Sequence, residues 1–323
     1  MKVLVTGGTG FIGKHVLFRL KKTGHSIRCL VRKTSDTSIP EKAGAEIITG
    51  DVTDRASVKQ AVSGTDAVIH LANIYEFWIP HKKDYYAVNV EGTRNVLEES
   101  LDANISKVIH VCTLGAYGVP EDKPFTEESV PAKKRTSLYF ETKYQGSQIA
   151  WKLHAEKDLP LVMVYPSAVT GPGDNKPSGR YVHGMAKGKM PAQVFLKSVL
   201  TWVDVRDVAE VIVRALEKEG NIGEKYFVGA EMLSFAEFNK YISNASGVSL
   251  PRIKMPSWMA MMNGACLTFL ADIFKIPPML GMSSDQMRTM KYGFSADCSK
   301  VSRELDIQYM SISKSLEDTI AAM

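Results

Sequence analysis

Short apolar runs recur along the first half of the chain, and they lack the polar alternation of a strand with one wet face. Lys2–Thr6 (KVLVT), Ser26–Val31 (SIRCLV), Ala45–Thr49 (AEIIT), Ala67–Leu71 (AVIHL), Val108–Cys112 (VIHVC) and Leu161–Tyr165 (LVMVY) read as strands buried on both faces. The segments between them carry helical spacing. In Phe11–Lys22 the apolar residues are Ile12, Val16, Leu17 and Leu20, and Gly24 ends the helix. Ala56–Val62, Tyr86–Asn104 and Tyr139–Lys157 read as further helices. Strands alternating with helices predict an α/β fold with a doubly wound parallel sheet. From Gly171 the pattern loosens into the loop GPGDNKPSGR, then into short strands (Val199–Val203, Lys225–Val228) among helices. The expected organisation is a dinucleotide-binding domain over residues 1–170 and a smaller, mixed C-terminal substrate lobe over 171–323, interleaved with the sheet.

Composition narrows this picture. The 323 residues are 45% hydrophobic, enough for a substantial core. The net charge of +5 is mild, and Lys21-Lys22, Lys82-Lys83 and Lys133-Lys134-Arg135 are interleaved with acids. They read as solvated faces, with no nucleic-acid partner expected. Cys29, Cys112, Cys266 and Cys298 show no CxxC spacing, so free thiols and a cytoplasmic location are expected. No histidine pair has ligand spacing, and no metal is expected. The chain starts directly on a strand. Its most membrane-like stretch, Trp258–Phe274 (WMAMMNGACLTFLADIF), includes Asn263, Gly264 and Asp272 and is short for a bilayer. It reads as a buried or lid helix, or alternatively as a helix on a membrane surface, but not as an integral segment.

The first strand runs into TGGTGFIG. Gly8-x-Gly10-x-x-Gly13 and Gly7-x-x-Gly10-x-x-Gly13 both fit a dinucleotide fingerprint, in which a tight turn delivers backbone N–H groups to a pyrophosphate at a helix start. Phe11 and Ile12 lie inside that turn. The second strand ends Val31-Arg32-Lys33, without the carboxylate that would accept from a free ribose. Two cations there suit a 2′-phosphate, so NADP(H) is expected over NAD(H); Arg32 as a plain surface cation is the alternative. Asp51, with Val52 beside it, ends the third strand and either receives the adenine amino group or caps the turn.

Tyr139 and Lys143 stand four apart in YFETK, on one face of a helix. A phenol has a pKa near ~10 and is a poor base at neutrality, and a neighbouring ammonium favours its ionised form. Thr113 supplies a hydroxyl at the end of the fifth strand. TGGTGFIG, Asp51, NVEGTRNVL, VCTLGAYG, YFETK, YPSAVTGPGD, VDVRDVA and FSADCSKVSRELDI occur in an order that resembles the extended short-chain dehydrogenase/reductase superfamily over nearly the whole chain. LVRKTSD and LANIYEFWIP resemble most its dihydroflavonol-4-reductase-like branch, which includes proteins described as hopanoid-associated sugar epimerases.

The resemblance implies a Rossmann sheet and residue roles. Tyr139 would be the acid/base, Lys143 would bind the nicotinamide ribose and lower the phenol's pKa, and Thr113 would polarise the carbonyl where the family commonly has Ser. Leu71, Ala72 and Asn73 would line the cofactor, Tyr165, Pro166, Ser167 and Ala168 would flank the nicotinamide, and Asn89 would sit beside the site. Some such proteins form homodimers through the helices Tyr86–Asn104 and Tyr139–Lys157. The expected activity is NADPH-dependent reduction of a small, apolar or aromatic ketone or aldehyde; the alternative is a nucleotide-sugar epimerase or dehydratase. Enzymes of the second kind usually place an Arg where this chain has Leu200, and another near Met287, beside which stands Arg288. Tyr75, Phe77, Trp78, Tyr181, Phe195 and Trp202 fall in segments expected to approach the substrate.

Overall fold

A computed structural model describes residues 1–323. The strands are β1 (Lys2–Thr6), β2 (Ser26–Val31), β3 (Glu46–Thr49), β4 (Ala67–His70), β5 (Lys107–Val111), β6 (Leu161–Pro166), β7 (Ala168–Thr170), β8 (Val199–Asp204), β9 (Lys225–Val228) and β10 (Glu231–Ser234). Seven form one parallel sheet in the order β3-β2-β1-β4-β5-β6-β9. The order reverses direction between β1 and β4, where a doubly wound sheet leaves a crevice at the strands' carboxyl ends. The second sheet, β10-β8-β7, is mixed, with β8 antiparallel to β10 and parallel to β7.

Both faces of the large sheet are dry because successive side chains point to opposite sides and both kinds are apolar. Val3, Val5, Ile69, Val162 and Val164 pack under the helices Phe11–Lys22 and Val205–Glu217. Leu4, Val68, Val108, Leu161 and Met163 pack under Thr93–Asp102 and Leu138–Lys157. Chain beyond Gly171 serves both layers. It supplies β9 and the helix Val205–Glu217 to the large sheet, and β8 and β10 to the small one.

Two helices differ from the sequence reading. The stretch read as one helix from Tyr86 to Asn104 is Lys83–Tyr86, a π-helical segment Ala87–Gly92, then Thr93–Asp102. The stretch Trp258–Phe274 lies in the helix Ser257–Phe274, but it is not buried: only Ala260, Gly264 and Ala271 are. Its small residues face the helix Ser284–Tyr292, where a Cβ on Gly264 would come within 2.6 Å of Met287 Cγ, so the large side chains are left outside. No helix is long and apolar enough to cross a membrane.

Candidate active site

The carboxyl ends of β1, β4, β5 and β6 open into a cleft of about 500 Å³. At one end the chain turns from β1 into the helix Phe11–Lys22 through Gly7, Gly10 and Gly13. Gly7 has φ +74°, and a Cβ on it would lie 2.7 Å from the Ala72 nitrogen. A Cβ on Gly13 would lie 2.2 Å from the Gly7 oxygen, and Gly10 N–H donates to that same oxygen at 3.0 Å. The backbone is therefore packed down on β1 and β4 while the helix start, with Gly10 as N-cap and no side-chain cap, faces the cleft. Uncapped N–H groups at a helix N-terminus attract an anion.

Phe11, Ile12, Arg32, Asp51, Val52, Leu71, Ala72 and Asn73 all line this end. Asp51 Oδ1 accepts from the Thr53 N–H and hydroxyl, both at 2.9 Å, so its carboxylate caps the turn and still borders the cleft. Arg32 makes no ion pair and no side-chain hydrogen bond within the chain. Lys33 is exposed and stands outside the cleft lining, where Ser35 lies beside Arg32. Two buried polar atoms of the lining, Asn73 Oδ1 and Ser167 Oγ, have no partner. Buried polar groups are normally paired, so the cradle and these orphans together fit a polar, anionic ligand such as a dinucleotide.

The centre of the cleft holds Thr113, Tyr139, Pro166, Ser167 and Ala168. Thr113 caps the short turn Leu114–Tyr117, its oxygen accepting from Gly115 N–H at 3.3 Å, which leaves the hydroxyl proton free to donate. Ser137 caps the helix Leu138–Lys157 by accepting from Phe140 N–H at 3.1 Å, and so fixes Tyr139 in its first turn. The Tyr139 ring lies 5.0 Å from that of Tyr75 and 5.2 Å from that of Phe140. Burial pushes its phenol well above the ordinary value, with Tyr75 adding to the effect. Burial also pushes the Lys143 ammonium down, and Lys143 Nζ donates to the Val111 carbonyl at 2.8 Å. In the protein alone, desolvation governs the phenol. Asn89 sits in the π-helical segment, accepts from Ile74 N–H at 2.8 Å and donates to Thr142 at 3.1 Å. It ties the strand-end segment carrying Tyr75 to the helix carrying Tyr139.

At the far end the lining turns aromatic, with Tyr75, Phe77, Tyr181, Leu200, Trp202 and Phe235. The Tyr181 hydroxyl donates to Asn239 Oδ1 at 2.7 Å, whereas the buried Trp202 Nε1 has no partner. Two side chains point elsewhere. Trp78 donates to Asp272 Oδ1 at 2.8 Å and is not in the lining, and Tyr165 turns under the helix Leu138–Lys157, where its hydroxyl accepts from Trp151 at 3.2 Å. Phe195 is buried outside the cleft. Gln286, Thr289 and Met290 were not anticipated; their i, i+3, i+4 spacing in SDQMRTMKY is the signal for one helix face. The cations nearby are committed: Arg180 donates to Glu76 Oε1 at 3.1 Å, and Arg288 pairs with Asp285.

Residues 3–229 match the family described as the NAD dependent epimerase/dehydratase family. A protein of Synechocystis sp. that carries the name dihydroflavonol 4-reductase is 29% identical, over 98% of this chain and 92% of its own. Sterol demethylase protein B of Methylococcus capsulatus is 28% identical, over 99% and 98%. The crystal structure of gox2253 superposes with a TM-score of 0.85 at 33% identity, covering 99% of this chain and 97% of its own.

Proposed function

The chain belongs to the NAD dependent epimerase/dehydratase family, whose members are NAD(P)-dependent enzymes acting on CH–OH and C=O groups, and we propose that it is an NADPH-dependent reductase of a small apolar or aromatic ketone or aldehyde. When bound, a reduced nicotinamide dinucleotide supplies the hydride. The glycine turn and the helix start after it hold the pyrophosphate, and Arg32, free of any protein partner, meets the 2′-phosphate. Thr113 donates a hydrogen bond to the carbonyl oxygen. Tyr139, kept protonated by its buried setting, gives its proton to that oxygen as it gains negative charge. Lys143 positions the ribose beside them. Residues 1–170 carry the nucleotide and the acid, and 171–323 shape most of the substrate end. Four unpaired cysteines support a cytoplasmic setting.

The observation that carries the choice of substrate is the far end of the cleft. A diphosphate taken out of water needs charged partners, because an unpaired buried anion costs several kcal/mol. Leu200 stands in the lining, and Arg180 and Arg288 are already held by Glu76 and Asp285; Lys176 is the one basic side chain left on that rim. An apolar carbonyl compound meets no such cost. The test is a panel of aromatic and aliphatic carbonyls followed by NADPH absorbance, beside calorimetry of UDP and UDP-sugars on the NADP-saturated protein. Oxidation of NADPH by an apolar carbonyl, with sugar nucleotides binding weakly, is the expected result. Micromolar binding and conversion of a nucleotide-sugar without net NADPH consumption would assign the chain to the epimerases.

A further inference from the structure

Exposed apolar side chains are concentrated in one place. Ten of the nineteen large apolar residues that the fold leaves exposed fall between Ile253 and Leu280: Ile253 just before the helix Ser257–Phe274, and the rest on that helix and the turn after it. Trp258, Met262, Phe269 and Ile273 follow one another at helical spacing along a single stripe, and Phe274 and Ile276 are further apolar side chains exposed at its C-terminal end; Trp258, Phe269, Phe274 and Ile276 are each about two-thirds exposed. A contiguous stripe of this kind marks an interaction surface.

Cations stand at both ends of the stripe. Arg252 and Lys254 precede the helix, Lys275 follows it, and all three are exposed. Lys82 comes alongside by pairing with Asp272 at 3.0 Å, with Lys83 next to it in the chain. Asp272 is the only acidic residue from Arg252 to Ser284, and Trp78 and Lys82 both satisfy it. The surface is thus apolar in the middle, basic at the ends and neutral where it could have been acidic. It is also small. An 18-residue helix is about 27 Å long and its exposed face about 10 Å wide. That is roughly 300 Å², well below the ~800 Å² per partner of a stable protein interface. A lipid surface requires no complementary shape, and it rewards tryptophan at the boundary and lysine at the rim.

The stripe is continuous with the active-site cleft. The helix Ser257–Phe274 packs on Ser284–Tyr292, which contributes Gln286, Thr289 and Met290 to the lining, and the Met279–Gly281 turn packs on the helix that carries Tyr181. We propose that this face seats the protein on an anionic bilayer surface, the helix lying in the interface with the aromatic end of the cleft close behind it. The proposal goes beyond the reductase reading and does not depend on it, because docking is read without turnover.

The test is co-sedimentation of the full chain with vesicles of phosphatidylcholine mixed with phosphatidylglycerol, beside vesicles of phosphatidylcholine alone. Wild type is expected to partition onto the anionic vesicles and much less onto the neutral ones, with salt weakening the binding. The Phe269→Glu, Ile273→Glu double variant, whose changes lie on exposed positions, should fold normally by circular dichroism and lose more than about tenfold in partitioning. Lys275→Gln should lose about fivefold, the share of one juxtamembrane charge. Absence of wild-type binding to either vesicle, or equal binding by the double variant, overturns the proposal. So does a concentration-dependent dimer in sedimentation velocity that the double variant dissolves, since the stripe would then belong to a second copy of the chain.

Discussion

Tyr139 carries two demands that conflict in water: it must be a ready proton donor, and it must sit among apolar rings that orient a substrate. Burial by Tyr75, Phe77 and Phe140 meets both in the reducing direction, because a phenol that resists ionisation is present as the acid. Tyr139→Phe keeps the ring packing and removes only the hydroxyl. Turnover is expected to fall roughly 10²–10⁴-fold with NADPH affinity unchanged, measured by steady-state rates and by fluorescence titration of NADPH. Activity within a few-fold of wild type would remove Tyr139 from the chemistry. Arg32 makes a separate prediction. Its guanidinium has no protein partner, and a charged hydrogen bond is worth roughly 1.5–3 kcal/mol. Arg32→Ala should weaken NADPH binding about 10- to 150-fold and leave NADH binding nearly as it was; equal wild-type affinity for the two nucleotides would refute the preference. The spacing of Tyr139 and Lys143 was legible because a helix fixes both on one face. Trp78, Lys33 and Tyr165 show the limit of such reading. Each stands beside residues that do line the cleft. Partners elsewhere in the chain turn two of them away, Asp272 for Trp78 and Trp151 for Tyr165, while Lys33 simply extends into solvent.

The turn between β1 and its helix is the element on which nucleotide binding rests, and its geometry explains why the glycines were readable at once. A Cβ on Gly13 would stand 2.2 Å from the Gly7 oxygen, and no side-chain rotation relieves that contact, because the backbone alone fixes where a Cβ lies. Gly13→Ala should push the helix start away from β1. The expected result is loss of measurable NADPH binding by calorimetry together with a lower melting temperature; unchanged affinity would show that the turn does not hold the nucleotide. The π-helical segment Ala87–Gly92 was not legible, since AVNVEG reads as ordinary helix and the bulge arises only where Asn89 must reach both Ile74 and Thr142. β7 and β10 were missed as well. They are three and four residues long, and their pairing with β8 is fixed by contacts across the lobe, not by periodicity. Leu200, on β8, tests the substrate end of the cleft. Leu200→Arg should impair reduction of apolar carbonyls and raise UDP affinity, read by initial rates and calorimetry. No change in either would mean that Leu200 does not meet the substrate.

At the scale of the molecule, the large sheet was legible because its strands are apolar on both faces, and the exceptions to that rule have a consequence of their own. His70 on β4 and His110 on β5 lie inside the sheet with their rings stacked, centroids 5.1 Å apart. His70 is bracketed by the Thr6 and Thr93 hydroxyls at 2.7 and 3.1 Å, while neither nitrogen of His110 has a partner. Burial lowers His70 to about 3 and holds His110 well below its ordinary value, with the Lys143 ammonium pushing both the same way. Both imidazoles are therefore neutral when folded and free to take a proton near pH ~6.5 when unfolded. The unfolded chain binds more protons below that pH, so stability is complete above it and falls on acidification, by up to ~1.4 kcal/mol per pH unit for each ring. Asp207 works in the opposite direction. Burial raises it to about 6, so the folded chain holds its proton more readily than the unfolded one. Burial raises the Glu127 and Asp174 carboxyls in the same sense and lowers His15 in the sense of the two sheet histidines. The two fully buried rings, which take up protons near pH ~6.5 once unfolded, should win above pH ~5. Urea denaturation is expected to show clearly lower stability at about pH 5.5 than at about pH 7.5. His110→Leu, which removes the unpartnered ring, should make the dependence shallower. A wild-type stability that does not change over this range would show that the two rings are protonated within the fold, and that the sheet is not sealed around them.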